Sequence, residues 1–298
     1  MHRKTSPEKI SGFIFLTAIG IAVLSSASPG LRPAIAGEPQ ILSAQSAGQA
    51  ITVDGDLGEW SAIEGITVPL IGNGGVNSVE LKAAIRGDRI YVMALWDDTT
   101  ESRLHKPYQW DEATQAYGRT NQLEDRFAVT LAMAGDFSEN KLSGAEFTAD
   151  VWHWKASRSD PAGLAHDKMW RVSRTQFEKA KEISGTGGVT VYVARPSDEG
   201  DRLYKPVNPR GHVDDIMPRY EVNLSPKGSI ADVEARGMWR DGRWHLEMSR
   251  KLDTGNADDA VIPKAGQIEI AVAAFNDVDM RDHSTSAKIV LQTLAGMN

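Results

Sequence analysis

Between Asp150 and Ala156 the chain reads DVWHWKA, which places two of its eight Trp, one His and one Lys within seven residues. As a strand, this stretch alternates: Val151, His153 and Lys155 fall on one face, and Asp150, Trp152 and Trp154 on the other. Two readings follow from that pattern. In one, the strand is half-exposed, with Lys155 and His153 in water and the indoles packed inside. In the other, His153 or Lys155 points into a pocket and holds a ligand or a metal.

Further nitrogen and sulfur donors lie near this stretch, namely Met133, His166 and Met169. Haem iron accepts His, Met and, more rarely, the neutral amine of a buried Lys. A Lys used in this way must lose its proton, which burial and a nearby metal charge both favour. Each donor also has a plainer reading, Met133 as core filling and His166 as an exposed loop residue, so haem is one option among several. Other chemistries are excluded more firmly. The chain has no Cys, so cysteine nucleophiles, iron–sulfur clusters, thiolate zinc and covalent haem attachment are ruled out. No phosphate loop, nucleophile elbow or paired-His zinc helix occurs. The acidic pairs Asp97-Asp98, Asp214-Asp215 and Asp258-Asp259 read as solvated loops. Calcium ligation is their second reading, and no full ligand spacing supports it.

The elements that must position these residues are strands. Ile51 to Trp60 (ITVDGDLGEW) combines turn chemistry with an aromatic anchor, Trp60. Val79 to Asp98 reads as a hairpin about Gly87-Asp88, and Glu124 to Met133 as a strand. Asp241-Gly242 joins two strands of ADVEARGMWRDGRWHLEMSRKL, and two more strands close the chain. Arg103 to Asn121 reads as a long loop rich in aromatic side chains, and Arg195 to Arg219 as a charged surface excursion. Gln176 to Lys181 is a short helix or a loop. Ten to twelve strands without βαβ alternation predict an all-β fold, an antiparallel β-sandwich with long loops and little helix.

Residues 1–36 read as a Sec-type signal peptide, with a basic front, an apolar run from Ser11 to Leu24 and small residues at the cleavage positions. Its removal takes away three net positive charges, shifting the chain from −7 to −10. That acidity argues against nucleic acid or anionic lipid as a partner. Residues 37–50 read as a flexible lead-in and residues 51–298 as one domain. A periplasmic location without a membrane span after signal cleavage is expected.

The order of VDGDLGEW, LWDD, LEDRFAV, DVWHWKASRSDPAGLAHD, MWRDGRWHLEMSRKL and IAVAAFND resembles the haem-binding domain related to the ethylbenzene dehydrogenase γ subunit. The likeness runs from about Ile51 to Leu294. It implies a β-sandwich holding one non-covalent b-type haem, which carries electrons to or from a molybdenum-containing catalytic subunit or another periplasmic redox protein and catalyses nothing itself. In the γ subunits the iron sits between a Met and a Lys. The Lys carries over onto Lys155, with His153 and Trp154 beside the haem. Aligned on Glu124-Asp125, the family Met falls on Thr130, so Met133 needs a bulge to serve as the second ligand. Met93, His153, His166 and His283 are the alternatives. The segment before DVWHWKA lacks the Cys- and His-containing insertion of many periplasmic relatives. The alternative function is a haem-free module that binds carbohydrate or another small ligand through Trp110 and Tyr117.

Overall fold

The computed structural model describes residues 39–294; the expected signal peptide lies outside them. Twelve strands form one continuous path: β1 (Gln40–Ser46), β2 (Ser78–Arg86), β3 (Arg89–Asp97), β4 (Arg126–Gly135), β5 (Phe147–Lys155), β6 (Met169–Ser173), β7 (Lys181–Ser184), β8 (Thr190–Ala194), β9 (Glu234–Arg240), β10 (Arg243–Lys251), β11 (Gly266–Phe275) and β12 (Ile289–Thr293). Their spatial order is β7-β8-β6-β5-β4-β11-β12-β1-β2-β3-β10-β9. All neighbours are antiparallel except β1, which runs parallel to both β12 and β2. Among the described residues the only helical pieces are four short 3-10 turns, and the fold is an all-β sandwich. Residues 176–180 are a loop with a turn at 178–179, not a helix.

Within the lead-in expected at 37–50, residues 40–46 instead form strand β1. Its Ser/Gln content disguises a strand pattern in which Leu42 and Ala44 point into the core while Ile41 stays exposed. The β9–β10 connection is as expected: Asp241 and Gly242 both have positive φ, the backbone of the hairpin turn that Asp-Gly favours.

The path folds back so that β4, β5, β11 and β12 face β2, β3 and β10 across one apolar core. At its centre Trp96 stacks on Phe127 (5.1 Å), and Trp154 meets Trp244 edge-on at 4.9 Å. The Trp154 indole lies so close to Gly237 that a Cβ there would overlap it. A second cluster, including Phe137, Phe147, Val172, Val191 and Val193, covers part of the opposite face of β5. Strand β5 is therefore buried on both faces over its last seven residues, which discards the half-exposed reading of DVWHWKA.

Candidate functional site

The alternation of β5 holds. Trp152 and Trp154 enter the central core, while His153 and Lys155 lie on the other face beside Ala128 and Arg126 of β4. Lys155 is only 2 % exposed and forms no salt bridge among the described residues. The chain after β5 turns back so that His166 pairs backbone to backbone with His153, which delivers the His166 ring to Lys155. The Lys155 amine donates to His166 Nδ1 at 2.6 Å and to the Tyr204 hydroxyl at 3.2 Å. With Nδ1 accepting, His166 Nε2–H donates to Ser197 Oγ at 2.8 Å. Burial, reinforced by Lys168 and Arg158, pushes the Lys155 amine far below its ordinary pKa. Burial and the Lys155 amine do the same to His166. Lys155, His166, Tyr204 and Ser197 thus form one hydrogen-bonded relay.

This arrangement does not fit a haem. Met133 is the extra residue of a β-bulge between Ala132 and Ala134, as the offset from Thr130 requires. The bulge nevertheless turns Met133 against the central core. It also lies seven positions beyond Arg126, the cross-strand partner of Lys155, or about 23 Å along the strand. One iron cannot take both residues as axial ligands. On the Lys155 face His153 stacks on Phe275 (5.7 Å) and Phe275 on His283 (5.1 Å). The cavity beside Thr130 measures about 20 Å³, whereas sites for ligands of drug size span about 300–1,000 Å³. Trp154 is a core residue, Met93 is buried beside Trp60 in a separate cluster, and His166 already bonds Lys155.

The aromatic residues expected to hold a sugar are also occupied. Trp110 and Tyr117 sit on a small hairpin, Tyr108–Asp111 with Ala116–Arg119, inside what reads from sequence as a loop. His212 stacks on the Trp110 ring at 4.4 Å. The Tyr117 hydroxyl is held by the backbone of Val213 and Asp214.

An open groove of about 470 Å³ lies at the Trp154 end of the core, lined by Asp54, Glu101, Arg103, Asp160, Arg236 and Trp239 among others. Asp160 organises it. One of its carboxylate oxygens accepts from Trp154 Nε1 (2.8 Å) and the Gly237 N–H (2.7 Å), the other from Arg103 (2.8 Å). Arg236 donates to the Asp160 carbonyl at 2.9 Å. The half-buried Trp239 ring packs on the core and lines the groove, its Nε1–H fixed by the Asp98 carbonyl at 3.0 Å. Segments distant in sequence converge here: VDGD gives Asp54, LWDD gives the Asp98 carbonyl, SDPAG gives Asp160, and the late hairpin gives Trp239. Sequence reasoning quoted all four segments and missed their meeting place, because no spacing in the chain reveals that hairpin and turn abut. Tyr204 was missed as well, lying in the stretch read as a surface excursion.

The sequence model for ethylbenzene dehydrogenase matches residues 58–286. The chain belongs to that family. No curated protein matches it. Among solved structures, this family member aligns with two complexes of a family 9 carbohydrate-binding module from Caldicellulosiruptor kristjanssonii. The glucose complex is 12 % identical with a TM-score of 0.37, covering 84 % of this chain and 85 % of the other. The cellotriose complex is 10 % identical with a TM-score of 0.38, covering 87 % and 96 %. A carbohydrate-binding protein, so described provisionally, from Bacteroides uniformis is 8 % identical with a TM-score of 0.40, covering 88 % and 93 %. The expectation of a b-haem electron carrier held between Lys155 and Met133 is corrected by the sheet register: in this ethylbenzene dehydrogenase family member the two residues stand at opposite ends of a strand pair.

Proposed function

We propose that this chain is a haem-free, non-catalytic sandwich of the ethylbenzene dehydrogenase family, exported from the cytoplasm, that binds carbohydrate in the Trp239 groove. The observation that carries the reading is the composition of that groove. A sugar ring has an apolar face of C–H groups and a rim of hydroxyls. The first packs on an indole, and the second is held best by planar groups that donate or accept in pairs. Trp239 supplies the indole. Arg236 and Glu101, with side chains 45 % and 39 % exposed, supply the planar groups at the rim. The floor is rigid, because Asp160 and Arg103 are bound to each other and to the backbone of β9, so little ordering is required on binding.

The test is calorimetric titration with cello-, xylo-, manno- and malto-oligosaccharides. At least one series binds the unaltered protein. Trp239→Ala weakens that binding by about 2 kcal/mol, or roughly thirtyfold, while the near-ultraviolet spectrum and unfolding midpoint show that the fold is kept. Tyr117→Ala, on the other aromatic hairpin, leaves binding unchanged. Absence of binding to every series, or binding untouched by Trp239→Ala and lost in Tyr117→Ala, contradicts this reading.

A further inference from the structure

Where β2 begins and β3 and β11 end, three chain segments enclose a cavity of about 240 Å³. Every polar side chain in its lining carries an oxygen ligand: Asn77 and Ser78 at the start of β2, Asp97, Asp98 and Thr99 at the end of β3, and Asn276 just past β11. Backbone contacts hold the segments together. The Asn276 N–H donates to the Gly74 carbonyl at 2.9 Å. The Asn276 side chain packs on Gly75, whose φ is +76°, so closely that a Cβ there would meet it at 3.2 Å. On the other side Asp98 is fixed at both backbone groups. Its N–H donates to the Gly242 carbonyl (2.8 Å), and its carbonyl accepts from Trp239 Nε1 (3.0 Å).

The side chain of Asp98 is less well provided for. It is 2 % exposed and forms no salt bridge among the described residues. Oδ1 accepts from the N–H and the hydroxyl of Thr100, at 3.0 and 3.3 Å. The Asn276 amide also faces this carboxylate, yet no donor lies within hydrogen-bonding distance of Oδ2. A carboxylate buried to this degree needs a proton or a positive charge beside it. No Lys, Arg or His side chain lines the cavity, and Arg243 takes only one oxygen of the exposed Asp97, at 2.8 Å. Burial raises the Asp98 pKa by more than the Thr100 and Asn276 contacts lower it. Water in the cavity would solvate Oδ2 without balancing its charge.

We propose that this cavity binds one divalent cation of the calcium type, with Asp98 Oδ2 as its buried anionic ligand. Calcium takes carboxylate and amide oxygens together with water, in flexible geometry. Asn77 and Asn276 supply the amide oxygens, Asp97 has a second carboxylate oxygen free, and the cavity has room for water ligands. The centre of the site holds no protein cation. No ligand spacing announces it, because the partners of Asp97-Asp98 come from segments far away in the chain. The bound ion braces Asp98, on whose carbonyl the Trp239 indole is hung.

Full-length protein stripped with EDTA is titrated with calcium chloride up to about 10 mM, above the range in which extracellular calcium modules bind, by calorimetry and thermal unfolding. The expected result is one saturable site and an unfolding midpoint that rises with calcium. Magnesium, which demands tighter octahedral geometry, raises it less. Asp98→Asn keeps the Thr100 contacts and removes the buried charge. It unfolds no earlier than the unaltered protein when calcium is absent, and it binds calcium at least about tenfold more weakly. Asn276→Ala, at a half-buried position, also weakens calcium binding and decides the matter if Asp98→Asn fails to fold. Two results overturn the proposal: no calcium binding by the unaltered protein, or undiminished binding in every variant that folds. The first leaves a proton on Asp98, and the second puts the ion elsewhere. Calcium is titrated without sugar, so neither result bears on carbohydrate binding in the Trp239 groove.

Discussion

His153 shows what burial does to one side chain. Its ring lies against Phe275, and its Nε2 has no hydrogen-bond partner. Burial first, then the nearby Lys155 and Lys168, hold its pKa well below the ordinary 6.5. A base depressed in this way contributes stability that is present above pH 6.5 and lost as pH falls below it. Urea unfolding from pH 8 to pH 4.5 therefore shows the unaltered protein losing stability relative to His153→Gln on the acid side. A constant difference between the two proteins at every pH would contradict the assignment. Gly237 is a second residue-scale case. Its hydrogen is all that fits beneath Trp154, so Gly237→Ala costs about 1–3 kcal/mol through overpacking; an unchanged urea midpoint would show that the indole is free to yield. Alternation alone made the two faces of DVWHWKA legible. That both faces are buried depends on the segments 136–146 and 164–168, which cover the sheet from afar.

At the scale of elements, β1 bears the most on how the sandwich closes. It lies between β12 and β2 and joins the two layers. Its buried residue Leu42 is 1 % exposed and its neighbour Ile41 is 52 % exposed. Leu42→Ala should cost about 2–5 kcal/mol, whereas Ile41→Ala stays within about 0.5 kcal/mol; equal effects measured by chemical unfolding would deny that this segment is a strand in register. Composition hid β1, because Ser and Gln fill its outward positions and the flanking Gly and Ala resemble a linker. The two hairpins at Gly87-Asp88 and Asp241-Gly242 were legible because turn chemistry is local. The bulge that carries Met133 was foreseeable as an offset. Its direction was not, since which face a bulged residue takes is decided by packing.

For the whole molecule, the family membership and the all-β class were both readable from the chain, and the function attached to the family was not. Axial ligation needs two donors about one iron, and here the sheet register separates Lys155 from Met133 by most of a strand length. The groove draws on segments from Asp54 to Trp239, so only the closed sandwich assembles it. Carbohydrate binding there is the central claim, and the Trp239 indole N–H, fixed on the Asp98 carbonyl, reports on it. The most direct measurement is a nitrogen–proton NMR titration of the eight indole N–H signals with the oligosaccharide that binds best, assigned with Trp239→Phe. The account predicts that the Trp239 signal shifts in a saturable way and that the Trp110 signal stays in place. A shift at Trp110 with Trp239 unmoved would put the sugar elsewhere and contradict the account.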